Sequence, residues 1–306
     1  MYNSNKFKKK KFRRVKIKSI YKNRLIFYKR PKKKILIFFY ILLLFLICLF
    51  CYIFIRIKKK IKLKNIEKAY KDKINKLKIL LPQLQSSSQT FEDLVLFYVF
   101  YDLDKGFYID VGANDPHTFS TTKVFYTRGW NGINIEPLPD KFQLLTQYRT
   151  RDINLNIGIG QNQRNATLMI DGYNGCKSSL IYNKEMINPK RINIKIDTVA
   201  NICKQFVPSG KKIDFLKIDV EGSEKEVLLG IDFVNYRPNV ICIESLNNTE
   251  NNNMPEYLGW ENILIENDYA FAYVYWINRF YYDKKIKGMK EKFRGVEHFT
   301  KSFKKD

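Results

Sequence analysis

Acidic residues recur in this chain where short apolar runs stop. Asp110 ends FYID and opens into Val111-Gly112-Ala113-Asn114-Asp115. Glu136 ends INIE 26 residues later and is followed by Pro137. Asp219 ends IDFLKID with Glu221 two positions on, and Glu244 ends NVICIE. Gly112 and the small Ala113 let backbone come close to a ligand. The acids flanking them suit a cationic or hydroxyl-bearing group better than a phosphate, which prefers bare N–H groups at a helix start. The chain has neither G-x-G-x-x-G nor a glycine loop closed by Lys, so dinucleotide and P-loop phosphate cradles are excluded. A carboxylate ending a second strand can instead take both hydroxyls of an adenosine ribose.

The elements that would carry these acids alternate. FYID (107–110), INIE (133–136), INLNIGI (153–159), IDFLKID (213–219) and NVICIE (239–244) read as strands. Helix-length segments at 121–128, 141–148, 197–206 and 224–230 lie between them. Near-continuous apolar strands separated by helices predict a parallel sheet covered on both faces. AFAYVYWINRFYY (270–282) predicts an antiparallel hairpin at the sheet edge, and FEDLVLFYVF (91–100) a short buried helix before the first strand. Ligands of such a sheet lie beyond the carboxyl ends of its strands, where the acids are. Adenosine binding combined with acids and no phosphate cradle predicts a sulfonium nucleoside, S-adenosylmethionine.

The formal charge of +25 would suggest nucleic acid if it were spread over the molecule. It is not: residues 1–84 hold 27 of the 55 Lys and Arg but only Glu67 and Asp72 among the acids, which leaves the remainder neutral. No nucleic-acid partner is therefore expected for the folded domain. Ile35 to Ile55 is uncharged for 21 residues between PKKK and RIKKK, the length of one membrane-spanning helix with basic flanks. Sixteen basic residues precede the span and eleven follow it, which predicts a single-pass membrane protein with a cytoplasmic N-terminus. Lys58 to Leu81 reads as a basic helical stem and Pro82 to Thr90 as a linker. Two sequons, Asn165-Ala166-Thr167 and Asn247-Asn248-Thr249, would be open to glycosylation if the domain lies across the membrane. Cys176, Cys203 and Cys242 stand singly, without metal-ligand or redox spacing, and no metal is expected.

VGANDPHTFSTTKVFYTRGWNGINIEP, Ser178-Ser179-Leu180 and DFLKIDVEGSEKEVLLG, in that order and with the closing INRFYY, resemble the signatures of FkbM-type methyltransferases. The resemblance implies a Rossmann-like class I α/β fold with a mostly parallel seven-stranded sheet, closed by an antiparallel hairpin. It implies S-adenosylmethionine as cofactor, with Asp110, Gly112, Ala113, Asn114 and Asp115 in the first cofactor loop and Glu136 as ribose clamp. It further implies methylation of a hydroxyl on a sugar, glycan or related metabolite. Four regions follow: a basic arm (1–34), the span (35–55), stem and linker (56–90) and the methyltransferase-like domain (91–306). O-methylation needs a base beside the acceptor hydroxyl. Asp219 and Glu221 are candidates, with cofactor ordering and helix capping as their alternative roles, and His117 is a third. Glu244, Asn278 and Arg279 are candidates for holding the acceptor, Arg279 by gripping a carboxylate or phosphate.

Two other readings remain open. A basic tail, span, stem and α/β domain also describes an anchored glycosyltransferase, with Asp102-Leu103-Asp104 as its metal site, although that motif precedes the first strand. The domain could also be an inactive anchored binding module. Oligomeric state is not legible.

Overall fold

The computed structural model describes residues 32–80, 85–170, 178–180, 188–245 and 255–301. The basic arm before Lys32, Cys176 and the second sequon lie outside the described residues. The chain divides into two compact units, Met1–Asp72 and Lys73–Asp306.

A single helix, α1, runs from Lys32 to Leu80. Residues 35–55 are exposed on every side, so this apolar stretch is no core helix. At 1.5 Å per residue it is about 31 Å long, the thickness of a bilayer's hydrocarbon. It is one helix long and apolar enough to cross a membrane.

The second unit is built on a seven-stranded sheet. Its strands are β1 (Phe107–Val111), β2 (Asn131–Ile135) and β3 (Ile153–Leu155), then β8 (Ile213–Ile218), β9 (Pro238–Glu244), β10 (Tyr269–Tyr275) and β11 (Asn278–Asp283). Their spatial order is β10-β11-β9-β8-β1-β2-β3. The neighbours from β9 to β3 are parallel, and β11 pairs antiparallel with both β9 and β10, so the expected closing hairpin forms the edge. The strand order reverses between β1 and β8, which is where such sheets bind ligands.

Side chains alternate across the sheet. Phe107, Ile109 and Val111 join a core with Ile202, Cys203, Val227 and Leu264, from helices 199–206, 224–229 and 261–266. Tyr108 faces the other core, with Phe97, Phe125, Trp130 and Phe215. The helix α2 (Glu92–Phe100) is buried throughout, as its unbroken apolar run requires. The last turns of α1 belong to this second core: Leu77 is 1% exposed, and Ile74 and Leu80 pack beside it. The compact unit thus begins at Lys73, ahead of the boundary expected at residue 91. Leu77→Ala should destabilise the unit by roughly 2–5 kcal/mol through its cavity. Urea unfolding followed by the emission of buried Trp130 and Trp260 measures this, and an unchanged midpoint would place Leu77 outside the fold.

The stretch expected as one third strand is two. Ile153–Leu155 pairs with β2, while β4 (Gly158–Ile159) turns away and joins a second sheet. That four-stranded sheet has the order β4-β7-β5-β6, with β5 at Arg164–Ile170, β6 at Ser178–Ser179 and β7 at Lys190–Asp197. Asn156 causes the break: its amide donates to the carbonyls of Glu136 and Pro137, bending the chain off the sheet. On its apolar face Leu168, Ile194 and Ile196 pack with Leu138. Asn165 of the first sequon is exposed on β5.

Candidate functional site

The carboxyl ends of β1, β2, β8 and β9 and the apolar face of the second sheet enclose a cavity of about 400 Å³. Gly112, Asn114, Glu136, Asp219, Glu221 and Glu244 all line it. Of the expected site residues these six are brought together.

The first loop is shaped by close backbone approach. Gly112 has φ +82°, and a Cβ built on it would lie 1.8 Å from the carbonyl oxygen of Asp219. The N–H groups of Gly112 and Ala113 both donate to the carbonyl of Ile135, and Asp219 N–H donates to that of Val111, tying three strand ends together. Asn114 follows with φ 49°. Its N–H donates to Oε2 of Glu136 at 2.8 Å, and Leu138 N–H donates to Oε1 at 2.8 Å. Burial pushes the Glu136 carboxyl up to about 7, against the lowering effect of those two N–H groups, and Asp110 nearby adds to the rise. Asn114 lines the cavity, and its Oδ1 is buried without a hydrogen-bond partner.

At the other end the chemistry is a carboxyl cluster. Oxygens of Asp219, Glu221 and Glu244 lie within 4.8 Å of one another. Lys217, with a 3% exposed side chain, sits 2.9 Å from Asp219 Oδ2. Burial would raise the Asp219 carboxyl, but the Lys217 charge and hydrogen bonds from Glu244 and Lys217 outweigh it and hold Asp219 below its ordinary range. Glu244 goes the opposite way, up to about 10, through burial, the Asp219 charge and the hydrogen bond it donates there. The two carboxyls are thus pushed in opposite directions, Asp219 toward the ionised form and Glu244 toward the protonated one. Such an oxygen trio also has the donor type a hard divalent cation takes.

Glu221 and Gly222 both have left-handed backbone, φ 54° and 97°. Their turn is held from two sides. Ser179 Oγ donates to the Glu221 carbonyl at 2.8 Å, and Oε1 of Glu224 accepts from Val220 and Gly222 N–H. The Ser178–Leu180 motif thereby acquires a role: Ser178 and Leu180 line the cavity while Ser179 fixes the Glu221 turn.

Other expected site residues are placed elsewhere. Asp110 is buried beneath the loop, bonded to Thr122 Oγ1 at 2.9 Å and next to Lys217 in the strand register, so it supports the loop from below. Burial raises its carboxyl to about 6 against the pull of Lys217. Asp115 accepts from the N–H groups of His117 and Thr118 and pairs with Lys141, so its carboxylate is used within the loop and is not among the cavity lining. His117 is exposed against Tyr148, ring centroids 4.5 Å apart, and is not among the cavity lining. Arg279 is ion-paired to Glu261 at 2.9 Å and stacked 3.6 Å over Tyr257, outside the cavity lining; its charge is spent on helix 261–266. Asn278 is buried, its amide donating to Thr90 Oγ1. Asp102 pairs with Lys292 in the turn preceding β1, away from the strand ends a metal-diphosphate site would use.

Among the lining residues that escaped the sequence reading, two are polar and lie ahead of the family's motifs. Gln89 and Glu92 precede the first strand, yet reach the cavity. Glu92 is held by Thr121 Oγ1 and by the N–H and Oγ1 of Thr90. The signal was present in the two acids, Glu92 and Asp93, that open an otherwise apolar helix, a place where a buried carboxylate needs a purpose.

A search of curated proteins finds no match to this chain. A family model, the methyltransferase FkbM domain, matches residues 110–271, a stretch that includes the loop after β1, Glu136, the Ser178–Leu180 motif and the carboxyl cluster. With just over half of its 306 residues covered by that match, the chain belongs to the FkbM methyltransferase family.

Proposed function

We propose that this methyltransferase uses S-adenosylmethionine to methylate a hydroxyl group on a sugar, glycan or related small molecule, and that Ile35–Ile55 tethers it to a membrane with the N-terminus cytoplasmic. The observation carrying the cofactor reading is Glu136: a buried carboxylate at the end of β2 that lines the cavity and is oriented by two backbone N–H groups. The donor set fits the cofactor. Carboxyls and the orphaned Asn114 Oδ1 accept from hydroxyl and ammonium groups, whereas a phosphate would find no basic residue among the described lining. Glu136 would hold the ribose hydroxyls, and Gly112 and Asn114 would border the amino-acid portion. When bound, S-adenosylmethionine supplies a methyl group on a positive sulfonium. Asp219, kept ionised by Lys217, accepts the proton of the acceptor hydroxyl at its carboxylate as the new bond forms. Glu244, whose carboxyl burial and the Asp219 charge push toward the protonated form, holds Asp219 in place through the hydrogen bond between them. The apolar wall of Leu168, Ile194 and Ile196 excludes water from the same space.

Calorimetry on the full chain in detergent tests this reading, with S-adenosylmethionine and UDP-sugars plus manganese as titrants. Micromolar binding of the first, retained in Asp219→Asn, is the expected result. Binding of the UDP-sugar alone would move the function to glycosyl transfer and overturn the proposal.

A further inference from the structure

Residues 85–90 are the described part of the stretch expected as a linker, and they are fastened in place. The two acids that open α2 do the fastening. Asp93 is fully buried, and its carboxylate accepts from Ser86 Oγ at 2.8 Å, Ser87 N–H at 2.9 Å, Ser88 Oγ at 2.6 Å and the N–H groups of Ser88 and Leu94. Glu92, buried too, accepts from the N–H and Oγ1 of Thr90 on one side and from Thr121 Oγ1 on the other. The amide of Asn278 adds a further bond to Thr90 Oγ1. A linker needs none of this, because water satisfies its polar groups. A carboxylate is tolerated in the interior only where donors fill its lone pairs, and here the donors come from the strap and from the helix's own first turn.

Gln89 is held between the two anchors. Ser86, Ser87 and Ser88 are bound to Asp93 and Thr90 is bound to Glu92, so the backbone on both sides of Gln89 is fixed. Its side chain is exposed, lines the cavity and makes no hydrogen bond among the described residues. The strap is also tied to one part of the site. Thr121, the far partner of Glu92, stands in the loop after β1, beside Thr122, which holds Asp110. Gly112 and Asn114, earlier in that loop, line the same cavity and in the proposed function border the amino-acid portion of the cofactor. A glutamine amide suits such a zwitterionic group, since its N–H groups donate to a carboxylate and its oxygen accepts from an ammonium.

We propose that residues 86–92 are a binding strap of the cofactor site, in which Gln89 contacts the amino-acid portion of S-adenosylmethionine and Asp93 is the positioning residue that presents it. The strap lies ahead of the family-matched stretch, so this contact is built from the segment between α1 and α2. Covering the charged end of the cofactor keeps water from it and strengthens each hydrogen bond made there.

The strap's role rests on the cofactor reading above, and a second ligand separates the two. Methylthioadenosine keeps the adenosine and lacks the amino-acid portion, so it has nothing for Gln89 to touch. The full chain in detergent is titrated with both compounds. Gln89→Ala, which truncates an exposed side chain, should weaken S-adenosylmethionine about tenfold and leave methylthioadenosine within about twofold. In Asp93→Asn the new amide nitrogen faces a backbone N–H whichever oxygen it replaces, that of Leu94 or those of Ser87 and Ser88. That variant should show the same pattern, with faster hydrogen exchange across residues 86–90. If S-adenosylmethionine binds the wild type and Gln89→Ala weakens both ligands alike or neither, the strap's role is overturned and the cofactor reading stands. If S-adenosylmethionine does not bind the wild type, both fall.

Discussion

Gly112→Ala should abolish the proposed binding of S-adenosylmethionine and lower the stability of the folded unit by about 3 kcal/mol or more. The new methyl carbon would occupy a point 1.8 Å from the carbonyl oxygen of Asp219, a backbone atom that cannot swing aside. Relief requires the ends of β1 and β8 to part, but these are tied by the hydrogen bond from Asp219 N–H to the Val111 carbonyl. The φ of +82° adds a second cost that any side chain incurs. Both penalties act on the loop that presents Asn114 to Glu136 and on the strand end that presents Asp219, so stability and binding fall together. Urea unfolding and calorimetry on the same preparation check the pair of effects. Full stability with lost binding would show that the loop relaxes independently of the sheet, and the tied-strand account would be wrong.

The parts of this arrangement legible in the sequence share a physical cause. Strands buried on both faces must be apolar throughout, so β1, β8 and β9 stand out, and any acid at their ends is conspicuous. Asp219 and Glu244 were found that way, as was Glu136 ahead of its strand-stopping proline. The second sheet was not legible because its strands, RNATLMI and KRINIKID, are covered on one face only, and their polar residues blend with an Asn- and Lys-rich composition. Roles that depend on distant partners were equally hidden. Arg279 reads as a free cation until Glu261 is seen beside it, and the contact of His117 with Tyr148 is equally invisible in the sequence. Glu92 looked like one polar residue at the start of a packing helix, because only the fold brings residue 92 to the strand ends.

The pH dependence of binding carries the most direct signature of the ribose end. Buried Glu136 titrates at about 7, above the 4.5 of an exposed glutamate, so between these values the folded chain holds a proton that the unfolded chain has lost. By linkage this group's contribution makes the protein less stable as pH rises across that window and changes nothing further above it. Binding has the opposite sign. In the proposed contact, ribose hydroxyls would donate to the ionised carboxylate, so S-adenosylmethionine should bind about tenfold more weakly at pH 6 than at pH 8, with proton release in that interval. In Glu136→Gln, which keeps a carbonyl oxygen but cannot ionise, affinity at pH 8 should fall roughly tenfold, or about 1.4 kcal/mol, and lose its slope. Glu136→Ala should weaken binding by about a hundredfold, since it also leaves the N–H groups of Asn114 and Leu138 without their acceptor. Calorimetry in buffers of different ionisation enthalpy measures both affinity and proton count. A wild-type slope that persists in Glu136→Gln would assign the titration to another group, and with it the ribose end to another residue.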